Sequence, residues 1–272
     1  MLSGQGKAGK GKKPSRRGLP APIVRDFRKS LDYALSRTDE AGRAWGKAQW
    51  GVYAFYDYDG EPIYIGQTNE KLRVRVRRHL TNQRTDAVAM RILDVFEVAE
   101  IEIWPLWDLE GTKKTDKSAR RLLDSVEYSA YLQAIERSRF GAILNEKIPP
   151  VSARVPLPES MRVDLIGVEA RQERGHADTR IARRAETLAR LAAVAHERGE
   201  VSPGLRRVIV IQAVRLAYLA ATRLAFVEGR PEPDPNAIHV EALVGSLLSE
   251  LTDPTGPTDT DPMLRSDEDL ES

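Results

Sequence analysis

The chain has 272 residues, enough for one large domain or two small ones, and its 41% hydrophobic and 30% charged residues read as a globular protein with a sizeable core. It has no cysteine, which excludes disulfides, thiol catalysis and zinc–thiolate sites, and its four histidines (His79, His176, His196 and His239) are too scattered to suggest a metal cluster. The net charge of +2 hides an asymmetry: residues 1–17 carry six basic side chains and no acid, while the last twenty residues carry seven acids against Arg265.

Residues 1–20 are read as a basic disordered leader, which can hold nucleic acid through its phosphates or stay merely solvated. Residues 21–37 place Ile23, Phe27, Leu31 and Leu35 at helical spacing. Two aromatic and β-branched runs then flank Asp59-Gly60, a dipeptide that favours a tight hairpin, so strands are expected at about 50–58 and 61–66. Residues 70–81 predict a helix striped by Leu72, Val76 and Leu80, although Val74 and Val76 alternating with arginines also fit a strand. A short helix is expected over 87–96, a third strand over 98–106, ended by Pro105, and a longer helix over 118–138. Pro149, Pro150, Pro156 and Pro158 suggest a boundary near 150–160.

The second half is rich in Ala, Leu and Arg, with helix signals over 177–199, 203–228 and 236–251. The expected organisation is α/β (α+β): a domain over 21–150 with a small three-stranded antiparallel sheet flanked by helices, an all-α accessory domain over 160–251, and an acidic disordered tail over 252–272. No run approaches the roughly 18 apolar residues of a membrane span, and the N-terminus lacks a signal-peptide stretch, so a cytoplasmic chain with no membrane partner is the expectation.

The chemistry-bearing residues lie mostly in the first half. Tyr53 and Tyr64 fall on neighbouring strands, where a phenol can donate or accept a hydrogen bond or, less often, act as an acid or base; plain packing is the bland reading of either alone. Arg75 and His79 share one helix face, and an arginine fork matches a phosphate; a solvated basic helix is the bland alternative. Glu127 flanks the apolar side of its helix, where a bare carboxylate is costly. A magnesium ion would neutralise it, as would a salt bridge to one of many arginines. Asn145 could fix the backbone or touch a phosphate; a turn or capping asparagine is the bland reading.

In order, Gly51-Val52-Tyr53, Tyr64-Ile65-Gly66, Arg75 with His79, Ser125-Val126-Glu127 and Asn145 resemble the GIY-YIG nuclease superfamily over about residues 48–150. The compact step from Tyr53 to Tyr64 and the Arg-x-x-x-His pair are similar to its restriction members. The step from the second signature to the arginine is one residue long for the family, which leaves Arg73 as a rival to Arg75. The step from Glu127 to Asn145 is also long, and Glu136 stands as a weaker metal candidate.

The resemblance implies hydrolysis of a DNA phosphodiester with one divalent ion, Mg2+ or else Mn2+, held by Glu127. It makes Tyr53, Tyr64, Arg75 and His79 catalytic. Arg73, Arg77 and Arg78, with Arg84 just beyond, would grip phosphates alongside Asn145. Restriction or antiviral defence is the expected setting. A noncatalytic DNA-binding or assembly subunit, or a partner-dependent repair or mobile-element nuclease, are the alternatives. The C-terminal helices are expected to pack on the nuclease, or to mediate a homodimer or a larger complex.

Overall fold

Aromatic and β-branched residues either side of Asp59-Gly60 fold into the expected hairpin in a computed structural model, which describes residues 21–81 and 94–248. Strand β1 (Gly51–Tyr56) pairs antiparallel with β2 (Pro62–Thr68), and Gly60 supplies the positive φ of 72° that the turn requires. The register sets Tyr53 opposite Gly66 and Phe55 opposite Tyr64, with an irregularity just beyond, where Tyr56 faces Pro62. Strand β3 (Glu100–Pro105) pairs with the other edge of β1, and β4 (Met161–Asp164) pairs with β3. The antiparallel sheet therefore has four strands in the order β2-β1-β3-β4, one more than expected. The fourth escaped the sequence reading because it is only four residues long and follows the prolines that read as a boundary.

Every residue of β1 is buried, which requires cover on both faces of the sheet. On one face Val52, Ala54 and Ile65 pack against Leu123, Val126, Ala130 and Tyr131 of the long helix Lys117–Arg137. On the other face Tyr53, Phe55, Ile101 and Ile103 share a core with α1 (Pro22–Ala34) and α2 (Leu72–Thr81). Leu72, Val76 and Leu80 of α2 are buried while Val74 is exposed, so the helical period prevails over the strand alternative. The long helix, α3, starts at Asp116, whose carboxylate accepts from the backbone N–H groups of Ser118 (2.8 Å) and Ala119 (2.9 Å).

Beyond β4 lie α4 (Val168–Arg174), which was not anticipated, α5 (Ala177–Arg198), α6 (Pro203–Glu228) and α7 (Val240–Val244). Ser202 caps α6 by accepting from Leu205 N–H at 3.0 Å, and Pro203 occupies its first turn. The helix expected over 236–251 is reduced to α7, because Ile238 and His239 are extended and Gly245, at φ 76°, ends it. Helix α6 is long and apolar enough to cross a membrane by length and composition, whereas the sequence reading expected no run of that kind. The leader at 1–20, Arg84, most of the expected helix over 87–96 and the tail at 252–272 lie outside the described residues; the described end of 87–96 is a 3-10 turn, Val95–Glu97.

The chain beyond 160 does not stand apart from the sheet. Leu191 and Val194 of α5 and Leu205, Val208 and Ile211 of α6 belong to the same core as Phe55 and Ile101. An ion cluster reinforces this union. The Asp57 Oδ1 atom accepts from the backbone N–H of Asp59 (2.9 Å) and Glu61 (3.2 Å), shaping the hairpin turn. Its Oδ2 atom receives Arg180 (3.2 Å), Arg184 (2.9 Å) and Arg215 (2.9 Å), all buried. Arg184 also donates to Glu97 at 3.1 Å, and Arg215 lies 3.7 Å from Glu61. Burial works to raise the pKa of Asp57, but the three guanidinium groups hold it below the usual carboxylate range.

Replacing Asp57 by Ala leaves three buried guanidinium groups short of a counter-charge, a change that costs about 3–5 kcal/mol in comparable buried pairs. Urea unfolding near neutral pH should show a loss of that scale. Because the folded pKa of Asp57 is depressed, its contribution is present above the unfolded carboxylate range and lost as pH falls through the folded value. The gap between wild type and Asp57→Ala should therefore narrow in acid.

Candidate active site

Tyr53 can lie flat within the sheet layer only because residue 66, directly across the ladder, has no side chain. A Cβ at Gly66 would stand 2.7 Å from the Tyr53 hydroxyl and 2.9 Å from the Tyr64 ring. The glycine of the second signature thus makes room for the tyrosine of the first. Helix α2 brings His79 against the same pair. The Tyr53 hydroxyl is 3.2 Å from His79 Nδ1, and the His79 ring meets Tyr64 edge-on at 4.7 Å between centroids. Phe55 packs on both tyrosine rings and on the imidazole, closing the aromatic cluster.

Arg75, one turn before His79, sets its guanidinium beside the Tyr53 phenol, within electrostatic reach of Tyr64 and Glu127. Burial and the Arg75 charge push the His79 pKa down to about 4, so the imidazole is neutral at physiological pH. Burial raises the pKa of Tyr53, against the pull of Arg75, and raises that of Tyr64 well above the usual phenol value. Both are therefore protonated hydrogen-bonding groups in the resting site.

Glu127 comes from α3, on the other side of the sheet, and is 8% exposed. Among the described residues its carboxylate has no ion pair within 4 Å. Burial, then the neighbouring charge of Asp124, lifts its pKa to about 8, with Arg75 opposing. Asp124 lies one turn before Glu127 and accepts from Gln67 Nε2 of β2 at 3.0 Å, while Gln67 Oε1 is buried without a partner. Gln67 and Asp124 were missed in the sequence reading, although the three-residue step from Asp124 to Glu127 on a helix was a legible sign that the two share a face.

Other expected site residues are placed elsewhere. Arg73 donates to Ser36 Oγ at 2.5 Å, while Arg75 stands beside the tyrosines. Arg77 pairs with Asp32 of α1 at 3.3 Å and Arg78 with Glu70 at 2.8 Å, so in this state neither is a free phosphate ligand. Of the two roles expected for Asn145, the geometry shows the one that fixes the backbone. Its Oδ1 accepts from Ile65 N–H at 3.0 Å and its Nδ2 donates to Ile65 C=O at 2.8 Å, so the side-chain amide is spent on the β2 backbone between Tyr64 and Gly66. Glu136 pairs with Arg154 at 2.6 Å on the surface and takes no part in the cluster.

Residues 49–110 match the family model of the GIY-YIG catalytic domain. This segment is a GIY-YIG catalytic domain, and the chain thereby carries a nuclease-type module. The match contains Tyr53, Tyr64, Arg75 and His79; Glu127 and Asn145 lie beyond it. No curated protein and no solved structure matches the chain.

The environment of Glu127 makes a prediction about stability. A folded carboxyl with pKa about 8 binds a proton that the unfolded chain, near the ordinary glutamate value of 4.5, releases. Metal-free stability should therefore fall as pH rises from the lower value to the upper, by an amount on the order of 5 kcal/mol. Denaturation in EDTA across that range should show the slope, and Glu127→Gln should flatten it; equal slopes in both proteins would refute the assignment.

Proposed function

We propose that the chain is a metal-dependent endonuclease that hydrolyses DNA phosphodiester bonds, with restriction or antiviral defence as its setting. The observation that carries this reading is the convergence of two phenols, a neutral imidazole and a guanidinium beside a buried carboxyl that has no counter-ion. A structural role alone gives no reason to keep Glu127 buried and unmatched.

The donor set fits a hard divalent ion. Among the described residues no group of three or more His, Cys, Asp or Glu residues gathers, which disfavours a closed protein cage. One carboxylate, a buried amide oxygen from Gln67 nearby on β2, water and substrate oxygens suit Mg2+, or Mn2+, better than a softer ion. When bound, such an ion supplies Lewis-acid stabilisation to the leaving oxygen.

The chain's own residues supply the rest. Water forms a bond to phosphorus while one ester P–O bond breaks, and the water gives up a proton as the departing oxygen comes to hold one. The Tyr53 hydroxyl orients the attacking water, and a neutral His79 with an unprotonated Nδ1 accepts the hydrogen bond of that hydroxyl and so holds it in line. Arg75 stays charged and offsets the negative charge that grows on the phosphoryl oxygens. Tyr64, kept a phenol by burial, donates to the phosphate or the water. Asn145 fixes the strand that carries Tyr64.

The test is supercoiled-plasmid cleavage by the full chain with Mg2+ or Mn2+. Nicking that disappears in EDTA and in Glu127→Ala is expected; metal-independent nicking, or full activity in Glu127→Ala, would overturn the reading. Gly66→Ala should lower the rate roughly a hundredfold, the scale expected when a catalytic group is displaced by about 1 Å, with the circular dichroism of the fold retained. Arg75→Ala should reduce the cleavage rate more than DNA affinity; a loss confined to affinity would assign Arg75 to substrate binding instead.

A further inference from the structure

Arg77 and Arg78 of α2 are tied to carboxylates, but a second basic segment is not. Lys113, Lys114, Lys117, Arg120 and Arg121 fall within nine residues at the start of α3. The three lysines and Arg121 are exposed, and Arg120 is partly so. Arg120 donates to the Lys114 carbonyl at 2.7 Å and Arg121 to Ser118 Oγ at 3.4 Å. Among the described residues none of the five has a carboxylate within 4 Å. Asp116, in their midst, is spent on capping α3, and Asp124, one turn on, is held by Gln67. Five like charges held together without a counter-charge repel one another and attract an anionic partner.

The described chain ends against the same helix. Leu247 is buried and its carbonyl accepts from the Tyr131 hydroxyl at 2.7 Å, while the Leu248 carbonyl accepts from the Tyr128 hydroxyl at 3.4 Å. Tyr128 shares a stripe of α3 with Asp124, Arg121 and Lys117, reached by steps of four, three and four residues back along the helix. Residues 249–272 therefore start about 16 Å along the helix from Lys117. Those residues carry eight acids against Arg265. About five extended residues span that distance, so Asp253 and every acid after it have chain enough to reach the patch. Being on the same chain, they meet it at an effective concentration on the order of millimolar.

We propose that the acidic segment 249–272 docks on the basic patch at 113–121 of its own chain and shields that patch from DNA. The contact itself needs only the opposed charges; the shielding rests on the nuclease reading. Arg120 stands two turns before Glu127 on α3, so a duplex seated both at Glu127 and on the patch has to displace the acidic segment. Salt weakens the contact, because charges at a surface are screened.

A water-soluble carbodiimide joins a lysine amine to a carboxylate in contact with it, and so reads the docking without DNA. In the full chain, metal-free and at low salt, mass spectrometry should find links from Lys113, Lys114 or Lys117 to acids of 249–272, in species of monomer mass. Their yield should fall severalfold in concentrated NaCl. It should fall likewise in Arg120→Gln with Arg121→Gln, which keeps all three amines. A full-length variant with Asp259, Asp261, Asp267 and Asp269 changed to Asn, and Glu268 and Glu271 to Gln, should lose the links. In EDTA it should also bind a short DNA duplex roughly tenfold more tightly than wild type, the factor expected when a millimolar local concentration meets a contact of about 0.1 mM affinity. Absence of the links at low salt, or links found only between two copies of the chain, would overturn the docking. Links present with equal duplex affinity in the two proteins would overturn the shielding. Failure of both proteins to bind any duplex would count against the nuclease reading and the shielding together, while the links still decide the docking.

Discussion

One carboxylate joins the two halves of this chain. Asp57 sits at the end of the first signature strand, with one oxygen on the hairpin backbone and the other on three buried arginines from α5 and α6. The same side chain therefore shapes the turn between the two tyrosine strands and anchors the helical half upon it. Single charges of this kind are costly to bury, and the cluster is tolerable only because every arginine finds Asp57 or one of its acidic neighbours. The geometry of the tyrosine hairpin consequently depends on residues more than a hundred positions away in sequence.

Glu127 follows the opposite logic. It is about as buried as the members of that cluster, yet no arginine pairs with it, and the fold keeps it protonated up to about pH 8. Two buried carboxyls in one chain, one matched by three cations and one left unmatched, have different roles. The matched one is architectural. The unmatched one stands beside Arg75 and the tyrosines, where an incoming cation would find a ligand at the cost of a single proton.

Much of this was legible in the sequence. The Asp59-Gly60 turn, the tyrosine pair, the helical stripe of Leu72, Val76 and Leu80, and the four-residue step from Arg75 to His79 are local patterns, and local patterns survive translation into structure. What escaped depended on distant partners. Nothing near Asn145 reveals that its amide pairs with Ile65, and nothing near Arg73 reveals Ser36. Arg180 and Arg184 of α5 point inward because Asp57 and Glu97 await them, and nothing near them in sequence names those partners. The prolines after residue 148 looked like a boundary, and a four-residue strand beyond them is too short for periodicity to declare.

The central claim, that Glu127 exchanges a proton for a metal ion, is tested most directly by the Mg2+ concentration needed for half-maximal plasmid cleavage as a function of pH. If the ion must displace the Glu127 proton, that concentration should fall about tenfold for each unit of pH rise until about pH 8, and level off above it. A requirement that stays constant below pH 8 would contradict the account and place the ion on other residues.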